Sequence, residues 1–135
     1  MRLYVDIDGV LLTKRPVNAA PGGAAFIEFI TGQFDCYWLT THCRGDATVA
    51  VRYLAQYFNA ATLTNLRTWQ PTAWDTLKTE ALDFSTDFFW LDDAPFESEK
   101  RVLEEQGMSH RLITVELERE NELAQLQQLL ARVAS

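Results

Sequence analysis

Asp6 and Asp8 stand two residues apart at the end of a short apolar run, Leu3-Tyr4-Val5, and Gly9 follows them directly. A run that short, made of aliphatic and aromatic types, reads as a buried strand. Side chains two apart on a strand point the same way, so the two carboxylates arrive side by side at its carboxyl end. Gly9 then lets the backbone turn sharply. Two neighbouring negative charges in a partly buried place cost free energy unless something positive lies between them. A hard cation in an oxygen cage answers that need, and Mg²⁺ is the first candidate. The bland alternative is a solvated acidic turn. Two further strand ends are polar: Thr40 and Thr41 follow the run 34–39, and Asp92 and Asp93 follow the run 88–91. Lys78 precedes the last of these.

The elements that must position these groups follow in order. A loop over 13–23, punctuated by Pro16, Pro21, Gly22 and Gly23, leads to a helix expected over 24–31, with Phe26, Ile27 and Ile30 on one face and Gly32 as its stop. After the strand 34–39, Asp46 is the expected N-cap of a helix carrying Val49, Leu54, Tyr57 and Phe58. Residues 60–66 read as a short third strand, and a helix carrying Trp74, Leu77, Lys78 and Leu82 should follow. Beyond the strand 88–91 come a helix over 97–106 closed by Gly107, a strand over 112–117 and a helix over 119–133. Strands alternating with helices argue for an α/β fold, a single doubly wound, Rossmann-like domain over 1–135 with a central parallel five-stranded sheet and helices on both faces. In open sheets of that kind ligands bind beyond the carboxyl ends of the strands, where the strand order switches. That rule gathers Asp6, Asp8, Thr40, Thr41, Asp92 and Asp93 at one edge, within reach of Lys78.

The order Asp-x-Asp-Gly-Val, strand-Thr, Lys, strand-Asp-Asp resembles the four motifs of the haloacid dehalogenase (HAD) superfamily, from Leu3 to Asp93. The resemblance implies a Mg²⁺-dependent phosphoester hydrolase. In that reading Asp6 is the nucleophile that becomes an aspartyl-phosphate. Asp8 is the general acid for the leaving oxygen and then the base for water, offering the metal only its backbone oxygen. Thr40, with Thr41 as rival for the slot, binds the phosphoryl group, Lys78 neutralises charge, and Asp92 and Asp93 complete the metal site. Backbone N–H groups near Ile7-Asp8-Gly9 and Thr41-His42 would assist, since phosphoryl transfer needs positioning and charge neutralisation. The gaps 11–34 and 42–77 hold no more than the core itself needs, so no cap domain is expected. An uncapped site suits bulky phosphorylated substrates or completion by a partner subunit.

Composition narrows the classes. Twelve Lys and Arg against 19 Asp and Glu give a net charge of −7, which disfavours nucleic-acid or anionic-membrane partners. A bound metal can still invert the local field for an anionic substrate. No apolar stretch is long enough to span a bilayer. A carboxylate at position 6 interrupts any targeting segment, and Cys36 and Cys43 read as free thiols, so a reducing cytoplasmic setting is expected. With two histidines and no cysteine pair at ligand spacing, a zinc site is not expected.

His42 and Arg44 follow the second strand and could touch a substrate anion; a surface loop charge is the equal alternative for Arg44. Cys36, Trp38 and Trp74 are most simply core, Trp69 could be core or pocket, and Lys14 and Arg15, in the loop after the first motif, could face the site but read more simply as solvated. Two other functions stand beside the hydrolase: a phosphate- or metal-binding module without turnover that acts through partners, and a two-component receiver domain. In a receiver the acidic pair comes first and the lysine last, whereas Lys78 here precedes the final Asp pair.

Overall fold

The computed structural model describes residues 1–134. The chain runs β1 (Arg2–Val5), α1 (Gly23–Gln33), β2 (Asp35–Trp38), α2 (Ala47–Leu54), α3 (Ala60–Leu66), a 3₁₀ turn (Lys78–Ala81), β3 (Phe88–Asp92), α4 (Glu97–Glu105), a second 3₁₀ turn (Ser109–Arg111), β4 (Leu112–Thr114) and α5 (Glu122–Ala134). Among the described residues these strands form one sheet, ordered β2-β1-β3-β4. Every pairing is parallel: Val5 lies opposite Trp38 on one side and Leu91 on the other, and Leu91 lies opposite Ile113.

Alternation along the strands builds a core on each face. Leu3, Val5, Cys36, Trp38 and Leu91 pack against Phe26, Ile27 and Ile30 of α1, Leu63 and Leu66 of α3, and Leu123, Leu126 and Leu130 of α5. Tyr4, Phe88 and Trp90 point the other way, onto Leu82 and onto Leu103 of α4. A fully buried aliphatic side chain contributes on the order of 1.5–3 kcal/mol. The summed apolar burial therefore holds the strands in register, and the charged groups at their ends are carried by it.

Four strands replace the five expected. Residues 60–66 form helix α3 and not a strand. Thr62 and Thr64 are β-branched and favour a strand locally, but Asn59 caps the first turn by accepting from the Thr62 amide at 3.0 Å. Thr64 returns its hydroxyl to the Ala60 carbonyl at 3.0 Å. Leu63 and Leu66, three apart, then share the buried face. The β2 edge is closed instead by a single parallel bridge between Tyr37 and Gln70 and by the Thr72 hydroxyl on the Trp38 carbonyl at 2.5 Å.

The helix expected around Lys78 is also corrected. Residues 71–77 are loop, and Lys78 opens the 3₁₀ turn. The Glu80 carboxylate accepts from the amides of Asp75, Thr76 and Leu77, at 3.1, 3.1 and 2.8 Å, an arrangement that a continuous helix would forbid. Those bonds hold the Glu80 carboxyl below its ordinary pKa, the Leu77 amide contributing most. Helix α1 runs through Gly32 to Gln33, β4 ends at Thr114, and α5 starts at Glu122. Asp46 does cap α2, its carboxylate accepting from the Thr48 amide at 3.0 Å. Among the described residues no helix is long and apolar enough to cross a membrane.

Candidate active site

The chain leaves β1 for β2 on one side and later reaches β3 on the other, so the strand order reverses at β1. Asp6 and Asp8 follow β1, Asp92 ends β3, and Thr40 lies two residues past β2. The parallel register delivers them to one edge.

Three carboxylates, Asp6, Asp92 and Asp93, converge with one oxygen each inside a 4.8 Å circle. Asp6 and Asp92 are buried. Lys78 lies between them, its ammonium donating to Asp6 Oδ2 at 3.0 Å and to Asp92 Oδ2 at 2.7 Å. The free oxygens are held from the backbone: Asp6 Oδ1 accepts from the Ile7 amide at 2.8 Å, and Asp92 Oδ1 from the Ala94 amide at 3.0 Å. Asp93 packs on Gly9, whose φ is +79°; a Cβ at Gly9 would fall 2.2 Å from the Asp93 carboxylate. Gly9 therefore allows both the turn and the approach of the third acid. Lys14 closes the group, its ammonium 2.5 Å from Asp93 Oδ2.

The electrostatics follow from this crowding. Burial, then the charge of Asp92, raise the Asp6 pKa to about 7, with Lys78 and the Ile7 amide pulling the other way. Burial opposes the Lys78 ammonium, but the charges of Asp6 and Asp92 outweigh it and hold its pKa above the ordinary value. Lys14 is shifted upward as well, chiefly by its hydrogen bond to Asp93. Three oxygen donors with this much negative charge suit a hard divalent cation. A cation there would compete with both ammonium groups.

Asp8 stands apart from the cluster. Its carboxylate meets His42 Nε2 at 2.9 Å. The imidazole is stacked on the Tyr53 ring of α2, with centroids 4.2 Å apart and planes 13° from parallel. Thr40 is fully buried, and its hydroxyl oxygen accepts from the His42 amide at 3.3 Å, which leaves the O–H free to donate. Thr41 is exposed. Arg44 is exposed too, its guanidinium 4.3 Å from the centre of the Trp74 ring. The amides of Ile7, Gly9 and His42, considered as phosphoryl donors, are engaged within the chain by Asp6, by the Leu12 carbonyl and by Thr40. Trp69 belongs to the core: it is buried, packs on Trp38 at 4.5 Å and donates to the Thr31 hydroxyl at 2.9 Å.

Lys14, for which solvent is the simpler of two sequence readings, faces the site as the Asp93 partner. Glu99 has no place in the sequence reading. Glu99 is buried, and each of its oxygens accepts one backbone amide: Lys78 N at 2.7 Å and Phe96 N at 2.8 Å. It fixes the lysine backbone to the head of α4, immediately beyond Asp92 and Asp93. Its sequence signal is an acidic residue at the third position of a helix, where a carboxylate reaches back to the chain entering it. No family model, curated protein or solved structure matches the chain.

Proposed function

We propose that the protein is a Mg²⁺-dependent phosphoester hydrolase acting through an aspartyl-phosphate on Asp6, on an uncapped Rossmann-like scaffold of the HAD type. The observation that carries this reading is Lys78 bridging Asp6 and Asp92 at 3.0 and 2.7 Å while Asp8, two residues from Asp6, is held separately by His42. Two acids in different surroundings suit two different roles.

Asp6 attacks phosphorus and forms the new P–O bond as the bond to the leaving oxygen breaks. The proton carried by Asp8 passes to that oxygen. Asp8, now a carboxylate, takes a proton from water, whose oxygen attacks phosphorus and frees Asp6 and inorganic phosphate. His42 orients Asp8 throughout. Lys78 offsets charge on the phosphoryl oxygens, and the Thr40 hydroxyl donates to one of them. Asp6, Asp92 and Asp93 would hold Mg²⁺, which when bound supplies positive charge that keeps Asp6 ionised. Positioned acid–base groups of this kind are worth about 10²–10⁴-fold in rate.

The test is turnover of p-nitrophenyl phosphate and of an alkyl phosphate with Mg²⁺, together with acid-trapped phosphate located by mass spectrometry. The expected result is phosphate on Asp6, and turnover abolished by Asp6→Asn and by chelator. Asp8→Asn should slow the alkyl ester far more than the aryl ester, whose leaving group needs no proton. A protein inert towards a broad phosphate panel, or one labelled at Asp92 or Asp93, would overturn the assignment.

A further inference from the structure

A cavity of about 500 Å³ opens beside the carboxylate cluster, lined by Asp93 but not by Asp8. Gly9 and Asp93 form its inner end, Lys14 and Arg15 one wall, and the segment from Val115 to Glu118 the other. A space of that volume admits a small metabolite.

We propose that this cavity is an anion subsite of the hydrolase, completed when a divalent ion displaces the Lys14 ammonium from Asp93, and that the substrate carries a second anionic group beside its phosphate. The inference rests on the phosphohydrolase reading.

The charges favour it. Lys14 neutralises Asp93 through a single contact, on a side chain that is half exposed. A divalent ion and an ammonium repel each other when they share one carboxylate, and the doubly charged ion wins the oxygen. The long Lys14 stem can then turn its charge into the cavity it already lines, next to Arg15. Opposite them, Glu116 is paired with Arg119 and brings no net charge. Glu118 remains as an acceptor for a hydroxyl or amine on the same ligand, and Val115 and Leu117 give apolar wall. Three acids line the cavity, Asp93, Glu116 and Glu118; with the ion on Asp93 and Arg119 on Glu116, Lys14 and Arg15 face Glu118 alone. Arginine and lysine facing one acid are suited to a carboxylate or a second phosphate. Gly9 keeps the inner end open, since any side chain there would run into Asp93.

Two measurements test it. Calorimetric titration with Mg²⁺ alone, on the wild type and on Lys14→Met, should show at least fivefold tighter binding in the variant, because the internal competitor is gone. Hydrolysis of 3-phosphoglycerate and glycerol 3-phosphate, which differ by a carboxylate in place of a hydroxymethyl group, should favour the carboxylated ester at least tenfold in kcat/KM. That ratio should fall towards one in both Lys14→Met and Arg15→Ala. Equal Mg²⁺ affinity in the variant, or a wild-type ratio near one, would overturn the proposal. Should neither ester be hydrolysed, the catalytic reading is still decided by p-nitrophenyl phosphate and the broad phosphate panel. The subsite is then judged by whether 3-phosphoglycerate with Mg²⁺ raises the wild-type Tm more than glycerol 3-phosphate does; equal shifts refute it.

Discussion

The raised pKa of Asp6 makes folding stability depend on pH in a way that one substitution should remove. Asp6 titrates near 3.8 in the unfolded chain and near 7 in the folded one. Between those values the folded protein holds a proton that the unfolded chain has released, so stability falls as pH rises. At about 1.4 kcal/mol per unit, with the slope halved at pH 7, the loss from pH 5.5 to 8.5 is about 2 kcal/mol, most of it below pH 7, and the curve levels off above pH 7.5. Nothing else with a resolved shift changes over in this window: Lys14 and Lys78 are shifted upward from 10.5, and Asp46, Glu80 and Asp83 downward from the ordinary carboxylate range. Cys36 is pushed up to about 12 by burial and stays a thiol. Urea unfolding at pH 5.5, 7 and 8.5, without divalent ions, should therefore show the drop in the wild type and a flat response in Asp6→Asn. The slope decides, not the level, because the replacement amide must face either the Ile7 amide or Lys78 with a donor. Adding Mg²⁺ should stabilise the wild type more at pH 8.5 than at 5.5, since protonated Asp6 is a poor ligand. Parallel pH curves for wild type and Asp6→Asn would refute the account of how Asp6 is held.

Lys78→Met should cost about 3–5 kcal/mol at pH 8, because it leaves Asp6 and Asp92 facing each other without a counter-charge. Part of that loss should return at pH 5.5, where Asp6 takes up a proton; urea midpoints at the two pH values check both statements. Glu99→Gln sets an NH₂ group against either the Lys78 or the Phe96 amide and should cost about 1–3 kcal/mol. In that variant kcat should fall while KM for p-nitrophenyl phosphate holds, as expected of a residue that places Lys78 without touching substrate, and Glu99→Asp, which keeps the charge but shortens the reach, should recover less than half of the kcat lost.

The parts of this site that could be read from the chain are those fixed by local pattern. Leu3-Tyr4-Val5 and Phe88-Phe89-Trp90-Leu91 are apolar enough to be buried strands, and parallel pairing then brings their acidic ends together. In residues 60–66 two threonines favour a strand locally, while the deciding groups, the Asn59 cap and the packing of Leu63 and Leu66, belong to the helix as a whole. Lys78 was placed at the right edge but on the wrong element, since the three amides gathered by Glu80 leave no local signature. The contacts of His42 with Asp8, Lys14 with Asp93 and Glu99 with the Lys78 amide join residues 21 to 79 positions apart. Such contacts are set by how the sheet edge closes and not by any spacing along the chain.

Lys78 and Lys14 between them touch all three acids of the cluster. A chain that brings its own counter-ions does not need a mineral to reach its native shape. On the proposed reading it can be synthesised where free magnesium is scarce, and lose and regain an ion with the scaffold intact. Supply of the ion would then govern when such a hydrolase works, and leave untouched whether it survives.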